Sequence, residues 1–364
     1  METAHKFDSI HTSHLKAIDF FCGIGGMTNG LLQAGINVVG GIDFDAECEE
    51  TYNLNNYPSK FLHADIEMLE PADLSKNFGI TPNDGNLVFV GCSPCQYWSK
   101  IRTNKQKSFK SAFLLKEFER FIEHFLPAYV VLENVPGLKN NPQSYLPTFL
   151  EFLKKHNYVF EQKVLNAKGY GVPQSRKRFL LIASRCHEEV SLPEASNDVL
   201  TVRDVLGVEN GFESITAGHK DLTSFMHSSA GLSPQNLKRI MLTLPDGGNR
   251  MAWKDTELQI PAYVGKDNYF SDVYGRMWWD RPAPTITTKF PSFSNGRFGH
   301  PSEHRAISLR EGATLQSFPK SFDFVCRKQG AVARQIGNAV PPALAKKIGE
   351  HLVKLNKMSS QELS

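Results

Sequence analysis

The sequence has little cysteine: six residues in 364, irregularly spaced at Cys22, Cys48, Cys92, Cys95, Cys186 and Cys326. A disulfide framework is therefore not expected, and the thiols should be free. Also missing is any apolar run near the roughly 18 residues that a membrane span requires. The opening "METAHKFDSIHTSH" lacks the apolar core of a secretory signal. A cytoplasmic protein is expected. Neither sign of charge prevails, and a formal net charge of +3 names no partner by itself, so an anionic ligand would have to be met by local clusters of Lys and Arg. Internal repeats and low-complexity tracts are absent, which sets aside solenoids and linker-like chains. What is present is globular in character: 41% hydrophobic residues over this length can build one large domain or two ordinary ones.

The first half alternates β-branched or aromatic runs with amphipathic stretches. Strands are predicted at 16–21, 38–43, 87–91, 129–132 and 178–183, and helices at 26–34, 45–56, 111–125 and 145–156. That rhythm predicts an α/β fold with a mostly parallel, doubly wound, Rossmann-like sheet. Around Cys186 the character changes to the polar "RCHEEVSLPEASND", read as a linker. From Thr201 to about Pro301 the pattern is broken by Gly, Pro, Asn and Ser, which predicts a smaller, loop-rich lobe. A strong helical pattern returns after Pro341-Pro342, and the tail "NKMSSQELS" should fray.

"AIDFFCGIGGMTNGL" places a glycine-rich turn between a predicted strand and a predicted helix. Gly23, Gly25 and Gly26 would let backbone approach a ligand at the helix N-terminus, although a plain tight turn uses the same residues. The dinucleotide fingerprint is incomplete, because its third glycine position is Thr28. Asp43, at the end of "VVGGIDFD", is placed where ribose hydroxyls are commonly held, so the ligand is read as a nucleoside without a demanding pyrophosphate. Asp65 in "HADIEML" sits at the equivalent tip of the next strand and could equally cap a turn. In "YVVLENVPG", Glu133 ends a hydrophobic strand where an open α/β sheet puts its site, and partial burial there would suit proton donation, although a lone Glu more commonly just caps the next turn. In "QSRKRF", alternation sends Arg176 and Arg178 to one face, where plain surface arginines would show the same pattern.

The stretch "GCSPCQYWSK" contains a C-x-x-C pair. No second pair lies at workable spacing for a structural zinc, and a redox pair should open a helix. Instead, residues 96–115 read as a basic loop with Lys100, Arg102, Lys105, Lys107 and Lys110 and no acid until Glu117. Such a segment beside a thiol suits a phosphate backbone, which favours one reactive cysteine.

Taken together and in order, "DFFCGIGG", "GIDFD", "ADI", "SPCQ", "ENV", "QSRKR", "HRAISLREGATLQSFP" and "QIGNAVPP" resemble the cytosine-C5 methyltransferase family over nearly the whole chain. The resemblance implies S-adenosylmethionine on the glycine-rich loop and no metal. Phe21 and Phe44 would lie against the adenine, Asp43 would hold the ribose, and Asp65 and Ile66 would complete the adenine pocket. Pro94, Asn338 and Ala339 would complete the cofactor site. Cys95 would be the nucleophile and Cys92 a bystander. Glu133 would bind cytosine N3 and its amine, Arg178 the O2, and Arg176 the closed loop or a phosphate. Gln96, Ser99, Lys100 and Arg102 would contact DNA around a flipped base. Tyr97-Trp98 and Cys22 depart from the commonest family pattern.

The same resemblance divides the chain into a catalytic and cofactor-binding domain at 15–185, completed by 331–356, and a target-recognition domain with its supporting motif at 186–330. Residues 1–14 and 357–364 are read as flexible termini. Arg203, Lys238, Arg239, Arg250, Arg276, Arg281 and Arg297, with Trp253, Trp278 and Trp279 interleaved, are read as phosphate and base-edge contacts, most of the rings packing a small core. Arg305 and Arg310 are read as structural. Relatives that methylate transfer RNA carry a Cys-Phe-Thr that is absent here, so double-stranded DNA is the expected partner. A DNA-binding module without catalysis is disfavoured by the retained Cys95, Glu133 and Arg178, and a nicotinamide-dependent oxidoreductase by the incomplete fingerprint. The expected context is a monomeric bacterial modification enzyme with a cognate restriction endonuclease and no room for chromatin-reading domains.

Overall fold

The computed structural model describes residues 13–92, 105–141, 144–325 and 328–362, with 105–113 and 359–362 described by backbone alone. The chain divides into two units, one of residues 1–166, 177–195 and 340–364, the other of 167–176 and 196–339.

The first unit is built on a seven-stranded sheet. Its strands are β1 (Lys16–Phe20), β2 (Asn37–Asp43), β3 (Lys60–His63), β4 (Leu87–Gly91), β5 (Tyr129–Asn134), β6 (Val159–Asn166) and β7 (Lys177–Ser184). They lie in the order β3-β2-β1-β4-β5-β7-β6, and the turnover between β1 and β4 is the switch point at which open α/β sheets bind ligands. The first five strands run parallel, while β7 is antiparallel to both β5 and β6. Between and after the strands come α1 (Gly26–Gln33), α2 (Glu49–Asn55), α3 (Pro71–Phe78), α4 (Lys105–Phe125), the short α5 (Gly137–Asn140) and α6 (Leu146–Lys155). Strand β6 has no counterpart in the sequence reading. The helix predicted from 111 begins six residues earlier, at Lys105, within the segment read as a basic loop, because "KQKSFKSAF" contains good helix formers and no Gly or Pro.

Pleating sends alternate residues to opposite faces, and here both faces are buried. Ile18, Phe20, Ile42, Leu87, Phe89, Val130, Leu132, Phe179 and Leu181 join Leu74 of α3, Leu115, Phe118, Phe121, Ile122 and Phe125 of α4, and Leu153 of α6 in one core. Each such side chain contributes roughly 1.5–3 kcal/mol on burial. The alternate residues Ala17, Asp19, Val88, Val90, Val131 and Ile182 are equally buried, Asp19 against Thr28 of α1.

The second unit contains α7 (Pro234–Leu242), α8 (Leu309–Leu315) and α9 (Gln329–Asn338) among short 3-10 turns. The chain then re-enters the first unit as α10 (Pro342–Glu362), continuous past the point where fraying was expected at Lys357, since no helix breaker interrupts it. With so little regular structure, the second unit leaves many backbone carbonyls to be satisfied by side chains. Buried arginines do this. Arg276 donates to the carbonyls of Thr243 at 3.0 Å, His300 at 2.9 Å and Ile240 at 2.8 Å. Arg297 serves Gly247 at 2.8 Å and the Arg276 carbonyl at 2.9 Å, and Arg250 serves Lys266 and Tyr269. The reading of these three as nucleic-acid contacts is corrected, because each is buried and bonded to the backbone of its own lobe. Arg305 pairs with Glu311 at 2.7 Å, and Arg310 donates to carbonyls at Phe225 and Phe322, as expected of structural residues. Trp253 is fully buried in the lobe's core with Ile240, Tyr274 and Phe293.

In the first unit, α1 and α10 pack tightly at Gly30, where an added Cβ would lie 2.3 Å from the carbonyl oxygen of Pro342 and 2.6 Å from the Lys346 nitrogen. Backbone cannot yield as a side chain can. Gly30→Val should therefore lower stability by about 1–3 kcal/mol, read as a fall in the urea midpoint with an unchanged slope.

Candidate active site

The C-terminal ends of the parallel strands gather the candidate residues of the first unit. At the end of β1 the chain turns sharply: Phe21, Gly23 and Gly25 have φ of 62°, 52° and 84°, all left-handed. A Cβ on Gly25 would meet Asn56 at 2.3 Å, so only glycine fits there, whereas Gly23 faces open space. Gly25 is the N-cap of α1 and Gly26 its first residue. Asp43 ends β2 and stitches the turn to it, with Oδ2 accepting the Gly23 N–H at 2.8 Å and Oδ1 the Asp45 N–H at 2.9 Å. Burial, the largest cause, raises its pKa against those bonds. The next residue, Phe44, presents a ring that is 70% exposed, a costly position for an aromatic unless something covers it. Asp65 follows β3, where Oδ1 accepts the Glu67 N–H at 3.1 Å in the capping arrangement, and Ile66 is buried beside it.

Under the glycine turn lies a buried polar chain absent from the sequence reading. Asp19 Oδ2 accepts the Thr28 N–H at 3.1 Å and the Thr28 hydroxyl at 2.7 Å. Thr28 Oγ1 is 3.0 Å from the Tyr52 hydroxyl, which is 2.7 Å from Ser59 Oγ. Thr28, at the missing third glycine position, is thus the tie between turn and strand. An acid inside the apolar run "AIDFF" was the available signal. Desolvation raises the Asp19 carboxyl to about 7 despite the Thr28 bonds, with Asp43 adding to the rise.

Glu133, the penultimate residue of β5, is 3.1 Å from the Nε of Arg178 through its Oε1, and both side chains are nearly buried. Their meeting follows from topology: β7 starts at the edge where β5 ends, with Glu133 opposite Leu180 and Arg178 one pleat earlier. Arg178 Nη1 also donates to the Lys177 carbonyl at 2.8 Å. Arg176 lies one residue before β7, so the strand's alternation does not reach it. It is 1% exposed and donates to the carbonyls of Ile286 at 2.9 Å, Gly337 at 3.1 Å and Ala339 at 3.2 Å within the second unit. The expectation of a shared face with Arg178 is corrected accordingly. Asn338 and Ala339 close α9 in that unit. Cys92 follows β4, and its thiol is pushed well above the usual value by burial and by the charges of Asp19 and Glu133. Pro94, Cys95, Gln96, Tyr97, Trp98, Ser99, Lys100 and Arg102 lie outside the described residues. Among the described residues no cluster of three metal-ligating side chains occurs, and no helix is long and apolar enough to cross a membrane.

A doubly wound sheet with a glycine turn after its first strand, an acid ending its second and a carboxylate–guanidinium pair at its fifth defines a Rossmann-like α/β enzyme. The chain belongs to the C-5 cytosine-specific DNA methylase family, whose model matches residues 15–354. It is 37% identical over 344 residues to the Type II methylase M.HgiDII of Herpetosiphon aurantiacus, covering 92% of this chain and 94% of that one. Type II methyltransferase M1.HphI of Haemophilus parahaemolyticus is 31% identical over 352 residues, 95% of this chain and 89% of the relative. Among solved structures, the fold is similar to a prophage-encoded Escherichia coli protein titled a putative DNA modification methyltransferase, with a TM-score of 0.72 at 21% identity over 94% of this chain and 99% of that one. It is also similar to Dnmt2 methyltransferase of S. pombe, with a TM-score of 0.60 at 19% identity over 94% and 98% of the two chains.

The buried Asp19 generates a pH dependence with a definite sign. Its carboxyl titrates near 3.8 when exposed and at about 7 in the fold, so the folded state retains a proton that the unfolded chain has lost across that window. Its contribution to stability therefore falls as pH rises from about 4 to about 7. Asp43 acts in the same direction. Urea midpoints measured at about pH 5 and about pH 8 should differ less in Asp19→Asn than in wild type; an identical difference would show that Asp19 ionises at no cost.

Proposed function

We propose that the protein methylates carbon 5 of cytosine within a specific double-stranded DNA sequence, with S-adenosylmethionine as methyl donor, through base flipping and a covalent Cys95 adduct. The observation that carries this reading is the Glu133–Arg178 pair held 3.1 Å apart at the ends of β5 and β7. The surroundings of the glycine turn fit an adenosine group. Asp43 uses one acceptor position on each oxygen and has others left for ribose hydroxyls. The exposed Phe44 ring offers a face for a base, and Gly23 leaves room beside the turn. Phe21, Asp65 and Ile66 would line the adenine, with Gly25 and Gly26 shaping the turn. Pro94, Asn338 and Ala339 complete the proposed cofactor set. S-adenosylmethionine, when bound, supplies an electrophilic methyl group.

The chain's own residues make the cytosine a nucleophile. Carbon 5 is unreactive in the aromatic ring, so the Cys95 thiolate adds at carbon 6 and converts carbon 5 to an enamine-like centre. Glu133 hydrogen-bonds ring N3 and the exocyclic amine as charge develops, and Arg178 holds the glutamate while its remaining N–H groups reach O2. After methylation, loss of the carbon-5 proton and expulsion of Cys95 restore the aromatic ring. A stacked base hides its face from a thiol, so the target cytosine must leave the helix. Gln96, Ser99, Lys100 and Arg102 would hold the strand around it. We assign catalysis to 15–185 with 331–356, and target recognition to 186–330. Arg176 we now read as an organiser of backbone carbonyls, because its guanidinium is buried among them. The Type II names of the relatives support a restriction-modification role with a cognate endonuclease.

The test is transfer of labelled methyl groups from S-adenosylmethionine to cytosine-methylation-free plasmid DNA and, in parallel, to unmodified transfer RNA. Label should enter DNA alone, and bisulfite sequencing of that DNA identifies the site. Cys95→Ser should abolish turnover, and Glu133→Gln should lower kcat by roughly 10²–10⁴. Label confined to the RNA would replace the substrate, and full activity in the serine variant would overturn the mechanism.

A further inference from the structure

Helix α4 carries the apolar face expected of a helix lying on a sheet, with Leu115, Phe118, Phe121, Ile122 and Phe125 buried. Arg120 stands at the margin of that face and turns toward the segment that follows β3. One nitrogen, Nη2, donates to two backbone carbonyls, Ile66 at 2.9 Å and Leu69 at 2.8 Å. Nη1 is 3.5 Å from the Glu70 carboxylate, and Nε is fixed by Glu117 at 3.2 Å. The guanidinium also lies 4.8 Å above the Phe121 ring.

The segment thus held is a single turn without a neighbouring strand of its own. The N–H groups of Met68 and Leu69 both close on the Asp65 carbonyl at 3.0 Å, and the Asp65 carboxylate caps Glu67. Such a turn has no ladder to fix its orientation against the sheet. Ile66 and Leu69 are buried in the core below, while their carbonyls point outward to the arginine. Two carbonyls satisfied by one planar, permanently charged group set both the tilt and the height of the turn.

We propose that Arg120 is a positioning residue for the cofactor pocket, holding the Asp65–Glu70 turn in the conformation in which Asp65 and Ile66 meet the adenine. The inference rests on the functional reading above. Without the arginine the turn samples other orientations, and a site that is competent a fraction f of the time binds more weakly by the factor 1/f. Competence for about one tenth of the time gives about a tenfold weaker affinity. Chemistry at the cytosine is untouched once the cofactor is bound, so the loss falls on KM for S-adenosylmethionine and spares kcat.

The experiment compares wild type, Arg120→Met and Arg120→Lys by calorimetric titration with S-adenosylmethionine, and by amide hydrogen exchange of the protein alone. The expected result is about tenfold weaker binding in the methionine variant, a smaller loss in the lysine variant, and faster exchange at Met68 and Leu69, with kcat at saturating cofactor kept within about twofold. Wild-type protein that binds no S-adenosylmethionine would overturn the functional reading and this inference together. Wild type that binds while Arg120→Met binds equally well would overturn the inference alone. If the methionine variant does not fold, Arg120→Lys decides by the same titration: it keeps the charge but loses the planar two-carbonyl bridge, so wild-type affinity in it would overturn the proposal.

Discussion

The Glu133 carboxylate at the end of a buried strand has a cation beside it, and in this protein one reversal of chain direction supplies it. Glu133 closes β5 in a sheet whose preceding strands all run parallel, so their starts lie at the far edge. Only a strand running the other way can open beside the end of β5. That strand is β7, and Arg178 is its second residue. The ion pair is a consequence of topology as much as of residue choice, since a parallel seventh strand would deliver its first arginine to the wrong end of the molecule. Burying the pair costs solvation on both sides, and the geometry must offset that cost.

The other half of the site rests on a polar core beneath a glycine turn. Asp19 could have been an apolar residue like its neighbours. As an acid it fastens Thr28 by two bonds and, through Tyr52 and Ser59, ties β1 to the segment after α2. The left-handed residues of the turn are thereby held from below, and the side facing solvent stays open at Gly23. The turn is rigid where it meets the sheet and unobstructed where a ligand would lie.

Much of this was legible in the sequence. Five of the seven strands announce themselves as apolar runs with Asp43 and Glu133 at their ends, and the order of motifs identifies the family. The parts that were not legible share a physical cause. Strand β6, "VFEQKVLN", lies at the sheet edge and is half polar, so its hydrophobic signal is weak. The roles of Arg176, Arg250, Arg276 and Arg297 depend on which carbonyls the fold leaves unpaired, and no local pattern encodes that. Asp19 was visible as an acid in an apolar run, but its partner Thr28 was read only as a missing glycine. Arg120 belongs to an amphipathic pattern in which a charge at the edge of the apolar face looks ordinary.

The arginine-to-carbonyl bonding of the second unit bears on how such a lobe changes over evolutionary time. In a sheet, a loop's path depends on strand pairing and on the side chains packed beneath it. Here the path around 247 and between 266 and 271 is held by guanidinium groups gripping main-chain oxygens, and every amino acid has a main-chain oxygen. Away from Gly247, where a φ of 98° and the Trp278 ring require glycine, the loop side chains have less part in determining the loop's course. Val264, Tyr269 and Phe270 stand more than half exposed on such a loop. A lobe built this way can exchange its outward residues one at a time while its backbone keeps the same track, so new surface chemistry arises without a new fold.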